Sequence, residues 1–290
     1  DKYMKKTLRM GDLLELDAPS VQHRLKVIID SKNLVLENVY NQEPLSYDEI
    51  MEWCRSQAEF FKDYICDVGT LLGAAAGQGK NILFEAQLGA LRDIDYGIYP
   101  FTSSSNTIAS YAPIGAGIPG CALDNVVGVM KAYSTCVGEG PFVAETAMGE
   151  AWNEKLRESG GEFGAATGRP RRVGPFDAVA SRYGIRCQKA QDIALTKLDV
   201  LGAFDKIPVI TGYRLHGVLL DSFPTDSRLE EAEPVIEELP GWGCDISGCR
   251  SWKELPENAR KYVCTLEKLV DHPIYLVSTG AERDAYLLRE

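Results

Sequence analysis

From residue 125 onward the chain repeats one pattern: a short apolar run, a polar or glycine-bearing turn, then an amphipathic stretch. NVVGVMKAY (125–133), DIALTKLDVL (192–201) and PIYLVS (273–278) are runs of the buried-strand type. Between them, residues 147–159, 176–188 and 256–271 read as helices. Strands separated by helices build a parallel sheet, because parallel neighbours need a long crossover. The expected fold is therefore α/β, a mainly parallel sheet with flanking helices, with ligands at the carboxyl ends of the strands. KIPVITGYRLHGVLL (206–220) reads as strands in a hairpin-like arrangement. Residues 221–255, proline-rich and acidic with PGWG at 240–243, read as irregular, and a short strand is expected to close the chain within 278–288.

The amino-terminal part has a different period. Residues 1–18 read as irregular, 19–40 predict one or two helices, 46–66 a stronger one and 67–76 a short one. In the stretch 46–66, Ser46 is placed to cap, Asp48 and Glu49 suit the first turn, and Ile50, Trp53, Cys54, Ala58, Phe61 and Ile65 form an apolar stripe. Residues 19–76 are thus expected as a helical subregion appended to a sheet core at 77–290, the whole forming a single domain. GQGK (77–80) is a helix stop rather than a phosphate loop: the first glycine of GxxxxGK falls on Ala74, Asn81 replaces Ser/Thr, and a strand follows instead of preceding it. That strand is expected at NILFEA (81–86). Residues 87–122 are rich in glycine and serine without periodicity, a length of loop that is usually functional when ordered.

A net charge of −11 argues against a nucleic-acid partner. No apolar run is long enough to span a bilayer and no signal peptide is visible, so no membrane partner is expected and the setting is expected to be cytoplasmic. The chain starts at Asp1, and a fragment or processed product of something longer is expected. Eight cysteines without a CxxC pair and three histidines point to free thiols rather than zinc.

The chemistry concentrates in a few loops. GGEFGAATGRPRRVGPFD (160–177) places Arg169, Arg171 and Arg172 on a frame with glycines at 160, 161, 164, 168 and 174, which argues against helix or strand there. A basic loop in an acidic chain suits an anion, since guanidinium forks pair bidentately with carboxylate or phosphate; a solvated turn is the alternative. TKLD (196–199) ends a strand. Asp199 there can accept from the ring N–H and the exocyclic amine of a guanine, with the Lys197 stem along the base, although any strand can end in a polar tetrapeptide. Ser278, Thr279 and Gly280 follow another strand and could border a base edge, or form a plain turn. DID (93–95) offers two carboxylates, for a metal or for loop hydrogen bonds, and SSSNT (103–107) offers hydroxyls for phosphate oxygens.

FEAQLGALRDIDYGIYPFTSSSNT, VMKAYSTCVGEGPF, GGEFGAATGRPRRVGPFDAVASRYGIR, LTKLDVL and LVSTG, in this order and spacing, resemble the adenylosuccinate synthetase family over nearly all of the chain. The resemblance implies an enzyme of purine nucleotide biosynthesis, a homodimer that ligates L-aspartate to IMP using GTP and Mg2+. The 6-oxygen of IMP is phosphorylated first, and the aspartate amine then displaces phosphate. It implies that Ala166, Thr167, Gly168, Arg169 and Arg171 hold the aspartate substrate. Lys5, Ser103, Val137 and Arg169 are implied at IMP, Lys5 reaching the partner subunit's nucleotide. Arg171, Lys197, Leu198, Asp199, Ser278, Thr279 and Gly280 are implied at GTP. The family's GDEGKG stretch, which carries the catalytic base and most of the magnesium ligands, and the histidine after it are absent from this sequence, so no catalytic residue is assigned and the 290 residues alone are expected not to turn over. Leu88 stands at the family's glutamine position, with Gln87 as a substitute after a one-residue slip. Lys5 replaces an arginine, Cys136 an arginine and Ala166 a threonine. A family member acting on another purine nucleotide, or a non-catalytic guanine-nucleotide-binding homologue, are the alternatives.

Overall fold

The computed structural model of the protein describes residues 2–86, 88–165 and 168–289, and the chain divides into two compact units, Asp1–Ile82 and Leu83–Glu290.

The smaller unit is helical. A 3-10 turn at Met10–Glu15, within a stretch expected to be irregular, precedes α1 (Pro19–Asn38), α2 (Tyr47–Phe61) and α3 (Val68–Gly77). Pro19 opens α1, where its missing N–H costs nothing. Ser46 Oγ caps α2 by accepting from the Glu49 N–H at 3.4 Å, and Asp67 caps α3 through the Thr70 N–H at 3.1 Å. Leu16, Val21, Leu25 and Ile29 pack with Met51 and Cys54 as the core. The buried face of α2 keeps Ile50, Cys54 and Ala58 of the expected stripe and differs at three positions. Met51 is inside, Trp53 is 60% exposed, and Ile65 lies beyond the helix end. A stripe drawn by spacing alone put the largest side chain, Trp53, inward, whereas Met51 takes that place against α1 beside Cys54.

The larger unit holds the sheets. The first has the order β1 (Val127–Lys131), β5 (Asp192–Thr196), β9 (Ile274–Ser278), β10 (Tyr286–Leu288). β1, β5 and β9 are parallel and β10 is antiparallel, with Lys131 paired to Thr196 and Leu195 to Val277. α6 (Glu150–Gly160), α7 (Ala178–Gln188) and α8 (Glu257–Val270) supply the helical layers, after the single turns α4 (Ala112–Gly115) and α5 (Val143–Thr146). Ile193, Leu195, Tyr262, Val263, Leu266 and Val277 centre the main core between this sheet and α8. Burying one such aliphatic side chain contributes about 1.5–3 kcal/mol. The expected α/β fold with a parallel-rich sheet is present.

A two-stranded ladder joins β2 (Ser134–Cys136) to β3 (Arg172–Gly174). The arginine stretch is therefore loop only as far as 171, and glycine did not prevent the strand. Gly174 is needed there because a Cβ would run into the Ala144 carbonyl. A further sheet sets β4 (Phe176–Asp177) parallel to the long β6 (Lys206–Leu215), which also pairs antiparallel with β7 (Val218–Leu219) and β8 (Glu233–Pro240).

Three expectations are corrected. Residues 81–86 form no strand, and Leu83 is almost wholly exposed, so the run has no neighbour to pair with. Residues 233–240, expected as irregular, make the eight-residue β8. Its prolines sit at the second and last positions and its outer side chains are acidic, which is how an edge strand looks. The stretch 176–188 begins as strand β4 before turning into α7.

Candidate functional site

β5 and β9 are neighbours, and both end in the polar tripeptides singled out by sequence. Lys197–Asp199 and Ser278–Gly280 therefore emerge side by side at the carboxyl edge of the first sheet, with Lys131 of β1 beside Thr196. This is the edge where α/β sheets bind ligands. Lys197 has φ +63°, a conformation that costs a non-glycine residue about 1 kcal/mol. Its ammonium donates to the Gly160 carbonyl at 2.9 Å, so it braces the end of α6. Leu198 is fully buried and anchors the tetrapeptide, and the half-buried Asp199 opens a 3-10 turn. On the other strand Ser278 Oγ donates to the Gly280 carbonyl at 2.9 Å. The buried Thr279 hydroxyl donates to the Cys249 carbonyl at 3.1 Å. The Ser278–Gly280 turn is thus held by its own hydroxyls.

The arginine loop starts where α6 stops. Gly161 turns left-handed, and the Glu162 N–H closes on the Arg157 carbonyl at 2.9 Å, the usual glycine-assisted helix ending. Gly160 is also required: a Cβ there would sit 2.5 Å from the Tyr133 hydroxyl. The loop folds back through a bridge between Phe163 and Pro170 and through Gly164 N–H to Arg169 O at 2.8 Å. Gly168 and Arg169 lie exposed beyond that bridge, while Ala166 and Thr167 lie outside the described residues.

Arg171 and Arg172 are neighbours with different duties. Arg171 Nη1 donates to Glu162 Oε2 at 2.9 Å, and its side chain stays 34% exposed. Glu162 is 1% exposed and also accepts from Lys131 Nζ at 2.8 Å and the Tyr133 hydroxyl at 2.6 Å. Burial would raise the Glu162 carboxyl, but these donors outweigh it and hold it below the ordinary glutamate range. Burial pulls the Lys131 ammonium below its ordinary value despite Glu162. Burial, then Glu162 and Asp199, push the Tyr133 hydroxyl far up, so it stays a donor. Lys131, Tyr133, Glu162, Arg171, Lys197 and Asp199 thus form one electrostatic cluster that joins the basic loop to TKLD. Arg172 faces away. It grips Glu145 at 2.6 and 2.8 Å and the Gly140 carbonyl at 2.8 Å, and lies over Phe142. It is a rivet between β3 and the 138–145 segment.

A second pair of loops is tied by Arg92, which sequence reasoning passed over. Its guanidinium donates to the carbonyls of Phe101, Val137 (2.9 Å) and Glu139 (3.2 Å) and to Cys136 Sγ (2.8 Å). Its own carbonyl accepts from the Ser103 N–H at 2.9 Å. Ser103 and the exposed Val137 are therefore carried by loops that share one strut. Ser103 Oγ also donates to the Ser105 carbonyl at 3.3 Å. Asp93 is not a ligand set with Asp95. It is fully buried and accepts from the N–H groups of Asp95, Tyr96 and Thr107, which overcome burial and keep it ionised below its ordinary range. Leu88 is half exposed and offers no hydrogen bond from its side chain; Gln87 lies outside the described residues. Lys5 is exposed in the smaller unit. Among the described residues no helix is long and apolar enough to cross a membrane.

Glu162, Lys131, Tyr133 and Arg92 are side chains tying the candidate loops together that motif reading missed. The one local signal was an acidic residue at the foot of a basic loop.

The same loops carry a likeness to known proteins. The profile described as adenylosuccinate synthetase matches residues 1–287. Adenylosuccinate synthetase of Trichlorobacter lovleyi is 45% identical over 99% of this chain and 66% of its own length; that of Geobacter sulfurreducens is 43% identical with the same coverage. The chain thus spans about two thirds of the length of the curated relatives it matches. The structure of fully ligated adenylosuccinate synthetase from Plasmodium falciparum superposes with a TM-score of 0.91, at 32% identity, over 100% of this chain and 68% of that one. Matched by the family profile over residues 1–287 and by relatives over 99% of its length, the chain belongs to the adenylosuccinate synthetase family.

Proposed function

We propose that the protein ligates L-aspartate to IMP at the expense of GTP, through 6-phosphoryl-IMP, in purine nucleotide synthesis. The observation that carries this reading is the shared carboxyl edge of β5 and β9. There the Lys197–Asp199 and Ser278–Gly280 turns adjoin each other, and Lys197 and Glu162 link them to the arginine loop. Asp199 accepts from the ring N–H and amine of guanine, a pair of charge-assisted bonds that adenine lacks the donors to reproduce. Leu198 keeps that carboxylate in place from below, and the Ser278, Thr279 and Gly280 turn borders the base. Arg169 and Arg171 take the carboxylates of aspartate, with Ala166, Thr167 and Gly168 lining the loop, and Arg171 serves both aspartate and GTP.

Ser103 and Val137, on the two loops that Arg92 ties together, meet the phosphate and ribose of IMP, and Arg169 approaches the ribose. Lys5 is assigned to the IMP phosphate of the partner subunit in a homodimer, as a point charge rather than a fork. Magnesium accompanies this chemistry in the family, whose ligands for it lie mostly in the GDEGKG stretch absent from this sequence. Among the described residues no three His, Cys, Asp or Glu side chains converge, and the buried Asp93 is filled by backbone amides.

The test is turnover of the full-length protein with IMP, aspartate and GTP, followed by chromatography of the nucleotide product and release of phosphate. Product that depends on all three substrates is expected; product formed without GTP, or none, contradicts the reading. One observation favours a second reading. Leu88 presents an apolar surface where a hydrogen-bonding side chain is expected at the base, which suits another purine nucleotide. Competition between IMP and dGMP decides, and a clear IMP preference removes it.

A further inference from the structure

We infer that Glu162 is a positioning residue for Arg171, and through it for the carboxylates of the amino-acid substrate. The inference rests on the reading that the arginine loop takes aspartate. A glutamate 1% exposed is a costly group to bury, and an apolar residue of similar size often stabilises a protein as well or better. Its place at the foot of the loop is explained by what it fixes. Arg171 is held at three points: its N–H donates to the Glu162 carbonyl at 2.9 Å, its carbonyl accepts from Arg157 Nε at 3.0 Å, and Nη1 rests on Glu162 Oε2 at 2.9 Å. Main chain and side chain are thus registered on the same two neighbours.

Among the described residues Glu162 is the one partner of the Arg171 guanidinium, which leaves the rest of the fork on the exposed side. The other oxygen, Oε1, is filled by Lys131 and Tyr133, so the carboxylate has no freedom to turn away from Arg171. An arginine side chain loses most of its rotamer freedom when it grips a ligand; one already held loses less, which favours binding. Glu162 does not touch substrate in this scheme. It fixes the direction of the group that does.

The experiment is steady-state kinetics on the full-length protein carrying Glu162→Gln or Glu162→Asp, with folding checked by circular dichroism. For Glu162→Gln the expected result is an aspartate KM raised about tenfold or more, a smaller rise in the GTP KM because Arg171 also serves GTP, and kcat and the IMP KM within about threefold. Glu162→Asp, which keeps the charge on a shorter stem, is expected to recover part of the loss. If the glutamine variant does not fold, the aspartate variant carries the test by the same split. An unchanged aspartate KM, or an equal rise in all three KM values as a general structural role would give, overturns the inference. A wild-type protein without aspartate-dependent turnover overturns the functional reading and this inference with it. A wild type that saturates normally, beside variants that do too, overturns the role of Glu162 alone.

Discussion

Asp177 and Glu162, two of the buried carboxylates of the larger unit, are used in opposite ways. Asp177, at the end of β4, closes on its own surroundings: it accepts the Val179 and Ala180 N–H groups at 3.0 Å, capping α7, and takes the Tyr213 hydroxyl on its other oxygen. Every donor it meets is used up inside the fold. Glu162, at the foot of the arginine loop, is buried as deeply, yet its donors are Lys131, Tyr133 and Arg171, and two of these are cations partly open to solvent. One carboxylate makes structure, and the other holds charge at a surface. The difference teaches that depth of burial alone does not mark a functional acid. What marks it is whether its partners have bonding capacity left over.

The contrast extends to titration. Burial pushes Asp177 up to about 6 against the pull of three donors, while the cations around Glu162 keep it below its ordinary value. The two sheets differ in the same sense. β1, β5 and β9 deliver polar turns to one edge, whereas β4, β6 and β8 bury Tyr213, Tyr183 and Phe223 in a closed aromatic cluster.

The strongest break of this comparison is Asp177→Ala. Losing the α7 cap and leaving the Tyr213 hydroxyl unpaired should cost about 3–4 kcal/mol in urea unfolding. GDP affinity of the folded protein should stay within about twofold; a large fall in affinity would show that the two carboxylates do not act separately.

A smaller effect sharpens the comparison through pH. The folded value of Asp177, about 6, lies above its ordinary 3.8, so its stabilisation is complete below about pH 4 and is lost as pH rises through 6. The amount is at most about 3 kcal/mol. Glu162 has the opposite sign: held below 4.5, it stabilises above that pH, and the contribution is lost as pH falls through its folded value. Unfolding free energies of Asp177→Asn and Glu162→Gln measured against wild type should therefore drift in opposite directions, the first between about pH 4 and 6 and the second as pH falls below 4.5. Parallel drift would contradict the assignment.

Much of this was legible along the chain. The run DIALT is continuous and apolar because β5 is covered on both faces, and TKLD and STG stand out because they end such runs. β8 was hidden because EPVIEELP is an edge strand with prolines and acidic side chains, and an edge strand need not look like a central one. The Glu162 cluster was hidden for a different reason. Its partners Lys131 and Tyr133 lie 31 and 29 positions away, and only the fold brings them together. Lys197 is expected to lie with its stem along a base; its ammonium braces Gly160, a contact 37 positions distant that motif reading does not reveal. Arg172, one residue from Arg171, opens β3 and turns to Glu145 and the Gly140 carbonyl, a distinction composition does not carry.

The central claim is that the turn after β5 reads guanine through Asp199. Its most direct test is calorimetric titration of GDP into the full-length protein and into Asp199→Asn. Removing a charged acceptor of two hydrogen bonds should weaken binding by roughly ten- to a hundredfold, with the unfolding midpoint of the apo protein little changed. Equal affinity in the two proteins, or no binding by the wild type, would contradict it.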